Sequence, residues 1–225
     1  DLVQLLDKNQ PQGEPYLSAW KRYAPLRDYL NNDVESVAGA TVFTTQDATS
    51  LMSRLHDAVN RLPAPTPLDL RYLRDRDGLS QLYLGSFESP NFQSGDPPYW
   101  DGGGGIETDG QSSPRPTRTE KLRFALSVPN GEMPKDGWPI IIYAHGTGGD
   151  YQTFVRENLD IRAALIESGD DKNASPVRMA MIGIDQVLHG PRDPTGANPE
   201  LTFFNMRNLL AARDNVKQGA ADDFQ

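Results

Sequence analysis

The sequence predicts an α/β fold in its C-terminal half, preceded by a small mixed α+β or irregular region. Three patterns predict it. Leu122, Phe124, Leu126 and Val128 alternate with Arg123, Ala125 and Ser127, the period of a strand with one covered face. Pro139 to Ala144 and Val177 to Ile184 are short apolar runs bounded by turn signals, the pattern of strands buried on both faces of a parallel sheet. Between those runs Val155, Leu159, Ala163 and Ile166 recur at helical spacing, with Gly169 as the stop. Strand, strand, helix, strand is the order of an α/β sheet.

The elements before this region are taken in chain order. Residues 1–63 read as helices around one strand. Tyr16 to Trp20 and Tyr23 to Leu30 are amphipathic, with Pro25 forcing a new helix to begin near it. Val37 to Thr45 is β-branched and aromatic and predicts a strand. Thr44 and Thr45 are N-cap candidates for a helix carrying Leu51, Leu55, Val59 and Leu62, which Pro63 stops. Residues 64–118 read as a loop-rich surface excursion with one strand at Gln81 to Phe87, since Pro97-Pro98 and the four glycines after Asp101 resist regular structure. Asp101, Glu107 and Asp109 lack the spacing of a calcium loop, so they read as loop residues. Residues 119–225 hold the strands above and a last helix over residues 205–225, with Leu209, Leu210, Ala212 and Val216 as its apolar positions.

Composition excludes several classes. With 31 acidic against 22 basic residues the net charge is -9, which repels phosphate backbones and anionic membrane surfaces, so no nucleic-acid partner is expected. There is no cysteine, hence no disulfide and no thiolate metal site, and zinc would need all three histidines from distant points of the chain. No metal or cofactor is expected. No stretch approaches the ~20 apolar residues that span a bilayer. The sequence opens at Asp1 with no basic-plus-apolar run, so any signal peptide lies outside it; its 20 glycines and 18 prolines are a style common in exported bacterial enzymes, and a secreted or cell-envelope location is the expectation.

The chemistry concentrates after the apolar run that ends at Ala144, in His145-Gly146-Thr147-Gly148-Gly149-Asp150. A loop at the carboxyl end of a sheet strand faces the ligand crevice, and glycines there leave backbone N–H groups bare for a developing oxyanion. The turn has neither the Lys-Ser/Thr ending of a P-loop nor the G-x-G-x-x-G spacing, so a phosphate cradle is the weaker reading.

Together with Val42-Phe43-Thr44-Thr45-Gln46, Ile184 to Arg192 and Leu210 to Gln218, this turn resembles those of large bacterial α/β-hydrolases related to extracellular lipases and polyester-depolymerase-like esterases. The resemblance implies the N-terminal part of an α/β-hydrolase sheet and acyl-ester hydrolysis by a Ser-His-Asp/Glu triad. It implies an oxyanion hole at Gly146, Thr147 and Gly148, shaped by His145, Gly149, Asp185 and His189. No G-x-S-x-G elbow follows the turn within the chain, so the catalytic nucleophile and triad histidine are expected on the C-terminal remainder of the polypeptide, present in the same chain or as a separate one, acting on a small-molecule, lipid or polyester ester. The alternative is a non-catalytic surface or assembly module of hydrolase ancestry.

The individual side chains carry structural expectations. His145 and His189 are expected to brace backbone, His56 to lie at a surface or boundary, Asp185 to bond loop amides or Arg192, and Arg213 and Asp214 to fix the entry of the last helix.

Overall fold

In a computed structural model of the chain, residues 2–31, 37–43, 47, 49–165 and 177–225 are described, and the chain divides into two compact units, Asp1–Ala48 and Thr49–Gln225. The first unit carries α1 (Leu2–Leu6), α2 (Tyr16–Arg22) and α3 (Ala24–Leu30). Pro25 lies in the first turn of α3, where a missing amide costs no helical hydrogen bond. Trp20 ties the three together: its indole donates to the Asp7 carbonyl at 2.8 Å and the Arg27 guanidinium stacks 3.8 Å from its ring. The strand expected over 37–45 does not form within residues 37–43, and Thr44 and Thr45 lie outside the described residues. A strand needs a neighbour for its amides and carbonyls, and the described elements of this unit are helices.

The second unit starts earlier than the expected boundary at Pro63. Its first element, α4 (Ser50–Asn60), buries Leu55 and Val59 against Phe92 and Ala221, and its N-cap is Thr49. A hairpin follows, β1 (Leu68–Arg76) and β2 (Ser80–Asn91), where a single strand over 81–87 was expected. The Asp77-Gly78 turn between them is a strong hairpin signal, masked by the charges in β1, which is exposed along nearly its whole length. β3 (Arg118–Pro129) runs antiparallel to β2 over its full length.

β4 (Ile140–Tyr143) leads through α5 (Thr153–Arg156) and α6 (Leu159–Ala164) to β5 (Ala180–Ile184). The sheet order is β1-β2-β3-β5-β4, with β5 antiparallel to β3 and parallel to β4. The architecture is thus a five-stranded mixed sheet with helices, an α/β fold in which only one described pair is parallel. The single helix expected from Val155 to Ile166 is two, because Asn158 adopts the left-handed region at φ 56°. Arg76 fills the break, donating to Asp160, Asn158 and the Val155 carbonyl. Ile166 and Gly169 lie outside the described residues.

The two faces of the sheet differ. Leu82, Leu84, Ala125 and Met181 pack under Phe154, Val155 and Ala163 of the crossover helices. Phe87, Leu122, Phe124 and Ile184 form the core on the opposite face. β4 is not buried on both faces as its composition predicts: among the described residues it pairs with β5 alone, and Ile140 and Ile142 are 61% and 54% exposed.

α7 (Pro199–Phe204) and α8 (Leu209–Phe224) complete the unit, and α8 corrects two expectations. Leu209, Leu210 and Val216 are exposed, while its buried face is polar: Asp214, Asn215, Gln218 and Asp222. Those side chains hold the segment expected to be a surface excursion. Gln218 accepts the Phe92 amide and donates to the Pro90 carbonyl, Asn215 accepts from the Gln93 side-chain amide, Asp214 accepts the Ile106 amide, and Asp222 accepts the Ser89 hydroxyl. Phe92, Gln93 and Tyr99 are consequently buried. A segment poor in regular structure becomes part of the core because side chains replace the missing ladder partners of its backbone.

Candidate functional site

The His-Gly turn leaves the carboxyl end of β4 next to the carboxyl end of β5, where Asp185 begins the following loop. In an open α/β sheet that end of parallel strands is where ligands bind. Two buried histidines lace the two loops together. The His145 Nδ1–H donates to the Gly146 carbonyl at 2.8 Å and its Nε2 accepts the Gln186 amide at 3.0 Å. The His189 Nδ1–H donates to the Val187 carbonyl at 2.8 Å and its Nε2 accepts the Gly148 amide at 3.1 Å. The rings meet edge to face, 4.8 Å between centroids. A carbonyl accepts only, so Nδ1 carries the hydrogen in both rings and Nε2 is the acceptor. Burial, reinforced by the neighbouring His145, holds the His189 pKa below its ordinary value, against the pull of the Val187 carbonyl.

This arrangement sorts the amides of the turn. Gly148, at φ 82°, gives its N–H to His189 and is not free for a substrate, which removes it from the expected donor set. The Gly149 amide closes the turn on the Gly146 carbonyl at 3.0 Å. A Cβ at Gly149 would lie 2.9 Å from both His145 Nδ1 and Thr153 Oγ1, so the close approach of the turn to its brace requires glycine there. The amides of Gly146 and Thr147 have no acceptor among the described residues, and both residues are exposed. Two consecutive unpaired N–H groups beside a sheet crevice are donors available to an oxygen that gains negative charge.

Asp185, buried at 1% exposure, bonds a loop amide as expected, that of Tyr151 at 3.3 Å. Its charge partner is Arg123, at 2.6 and 3.2 Å, while Arg192 takes only its backbone carbonyl. Arg123 in turn lies 4.5 Å over the Tyr151 ring. Sequence reasoning assigned Arg123 to the exposed side of an alternating strand and missed it; the register of β3 against β5 brings it beside Asp185, and no local signal carries that register. Asp150 accepts the Gln152 amide and the Arg156 guanidinium, which hold its carboxyl below the usual carboxylate range in spite of partial burial.

Elsewhere the acidic residues have separate duties. Asp101 pairs with Arg207, Glu107 with Arg115, and Asp109 caps the turn at Gln111 and Ser113. Among the described residues no group of three or more His, Asp or Glu is disposed to hold a metal ion, and no helix is long and apolar enough to cross a membrane. His56 lies half-exposed on α4 with its ring edge against Phe224, 4.9 Å away. Asp214 ties the body of the last helix to the Ile106 amide, but Arg213 bonds only Asp214, at 2.7 Å, and the entry of the helix is capped by Asn208, which accepts the Ala211 amide.

No protein-family model matches the chain, and no curated protein matches it. Among solved structures, an acetyl xylan esterase from Paenibacillus sp. R4 is similar to it at 14% identity and a TM-score of 0.44, over 81% of this chain. The chain spans 46% of the length of that structure.

Proposed function

We propose that the chain is the N-terminal portion of a serine ester hydrolase of the lipase or esterase type, supplying the oxyanion turn to a nucleophile and triad histidine carried by the C-terminal remainder of the polypeptide. The observation that carries the reading is the pair of unpaired, exposed amides at Gly146 and Thr147, held on the buried His145 brace at the carboxyl end of β4. In acyl transfer a serine oxygen attacks the ester carbon, the carbonyl electron pair moves onto its oxygen, and two N–H donors at that oxygen stabilise the tetrahedral intermediate, each by about 3 kcal/mol. Collapse of the intermediate releases the alcohol, which the triad histidine protonates, and water then frees the acid.

A need for further polypeptide is supported by the apolar edge of β4, where Ile140 and Ile142 are exposed, and by a cavity of about 260 Å³ on the adjoining sheet face, lined by Phe124, Leu126, Ile142 and Ile182. A strand added to that edge and a helix over that face would cover both. The substrate class is a small-molecule, lipid or polyester ester, and the location secreted or cell-envelope.

The second reading is a non-catalytic surface or assembly module, in which the turn and its two histidines serve structure alone. Both ring nitrogens of His145 and of His189 are engaged with backbone, so neither is free to act as a general base. Co-production of the chain with its downstream coding sequence, followed by a fluorophosphonate probe and a p-nitrophenyl ester assay, separates the two. The hydrolase predicts labelling of one serine in the downstream segment together with ester cleavage. A folded, unlabelled assembly would overturn it in favour of the module.

A further inference from the structure

We infer that the groove between the β1–β2 hairpin and the Tyr151 turn is a binding site for an organic carboxylate. This inference goes beyond the hydrolase reading and stands without it. In a chain of net charge -9, Arg71, Lys121 and Arg123 converge on one groove of about 400 Å³, within the range of about 300–1,000 Å³ usual for ligand pockets. Leu84, Tyr151 and Pro191 contribute its apolar lining.

The charges in the groove do not cancel. Lys121 is 2.7 Å from Asp69, and Arg123 is 2.6 Å from Asp185. The Arg71 guanidinium has no ion pair or hydrogen bond among the described residues. Three cations against two carboxylates leave one positive charge, which a single carboxylate neutralises and a phosphate dianion would exceed.

Part of the site is fixed in advance. Asp185, with its side chain 1% exposed, holds Arg123 through Nε and Nη2, and the Tyr151 ring lies 4.5 Å beneath that guanidinium. The same Asp185 accepts the Tyr151 amide, so one buried carboxylate holds both the arginine and the loop that carries the ring. A guanidinium already ordered loses little conformational freedom when a ligand binds, and its planar fork matches the plane of a carboxylate. The Tyr151 ring and the Leu84 side chain suit an apolar or aromatic body attached to that carboxylate.

The test is a titration of the ¹⁵N-labelled full chain with benzoate, with benzamide as its neutral isostere, and with inorganic phosphate. Benzoate should give saturable shifts at the Gly85, Ser86 and Tyr151 amides, and benzamide should bind roughly tenfold more weakly or not at all. Arg71→Gln, at an exposed and unpaired side chain, should weaken benzoate roughly fivefold or more, while Asp69→Asn, which releases Lys121, should tighten it. Equal binding of benzoate and benzamide, the absence of saturable shifts, or unchanged affinity in Arg71→Gln would overturn the site. Tighter binding of phosphate than of benzoate would overturn the carboxylate assignment. No nucleophile takes part in these readouts, so they are independent of whether the hydrolase reading stands.

Discussion

His189 Nε2 accepts the amide proton of Gly148 over 3.1 Å, so one buried imidazole at the end of β5 fixes the turn that leaves β4. His145 returns the contact, its Nε2 accepting the Gln186 amide at 3.0 Å from the loop after β5. The two parallel strands are therefore locked at their carboxyl ends by a reciprocal pair of neutral rings, and this lock decides which amides of the turn stay free. A protonated His189 would present a second N–H to the Gly148 N–H, and the contact would become repulsive.

Acidification should open this lock. Burial lowers the His189 pKa, so the folded value lies below the ordinary value of about 6.5. The neutral ring then contributes stability that is fully present above about pH 6.5 and is lost as the pH falls through the folded value, because the unfolded chain takes up the proton first. The Gly148 amide resonance should shift with this titration in ¹⁵N spectra. The urea midpoint of the wild type should fall on acidification more than that of His189→Gln, whose side-chain oxygen accepts the same amide without titrating. A Gly148 resonance indifferent to pH would break the link.

Three strands of the sheet were legible because each carries its own period: the alternation of Leu122 to Val128 and the apolar runs of β4 and β5 specify strands locally, whereas β1, charged and exposed, carries none. The position of β4 at an edge was not, since an apolar strand reads alike with one neighbour or two. Thr147 and Gly146 were found from a turn motif, and the loss of Gly148 to His189 was not, because the two residues lie 41 positions apart. The polar inner face of α8 inverts the usual signal. Asp214, Asn215, Gln218 and Asp222 recur at helical spacing and are buried, but periodicity of polar residues is read as a solvated face. Only the segment they hold, with its unpaired backbone, makes burying them favourable.

The C-terminal end of that face carries an ion pair, Arg192 with Asp222, whose loss should be costly. Arg192 Nη1 lies 2.7 Å from Asp222, its Nε donates to Glu120 at 3.0 Å, and the Arg192 and Asp222 side chains are 3% and 1% exposed. Removing one partner leaves a buried charge, so Arg192→Met and Asp222→Leu should each cost about 3–5 kcal/mol in urea unfolding. The double variant should lose clearly less than the two single losses combined, because no charge of the pair remains stranded. Strict additivity would mean the pair contributes nothing as a pair.

Asp223, the next residue, should behave in the opposite sense. Burial beside the apolar sheet face, with Asp222 adjacent, pushes its pKa up to about 6. A folded value raised above the unfolded one gives stability that is complete below about pH 4 and is lost as the pH rises through about 6. Asp223→Asn should therefore stabilise the chain at neutral pH by about 1–2 kcal/mol, a figure reduced for its partial exposure, and leave it unchanged near pH 4. Thermal or urea unfolding at the two pH values checks it, and equal effects at both would contradict the buried-carboxyl account.

Gly104 tests whether the Pro- and Gly-rich segment is core. It lies at φ 78°, and a Cβ there would come within 2.4 Å of the Ala211 Cβ and 2.9 Å of the Ala211 Cα, on the first turn of α8. The backbone of a helix cannot retreat as a flexible side chain can, so Gly104→Ala combines a left-handed conformation unfavourable to alanine with an overpacked contact, and should cost about 3 kcal/mol or more. Gly102 offers a control in the same run, since a Cβ there meets nothing within 4 Å and only its positive φ of 159° opposes a side chain. If the segment were a solvated loop lying over the helix, both substitutions would cost only the strain of a positive φ, about 1 kcal/mol in urea unfolding. If it is packed as the Tyr99, Gln93 and Asn208 contacts place it, Gly104→Ala alone should shift the midpoint strongly, and should speed amide exchange at Ser94 and Ile106, whose N–H groups are held by the Gly105 carbonyl and by Asp214.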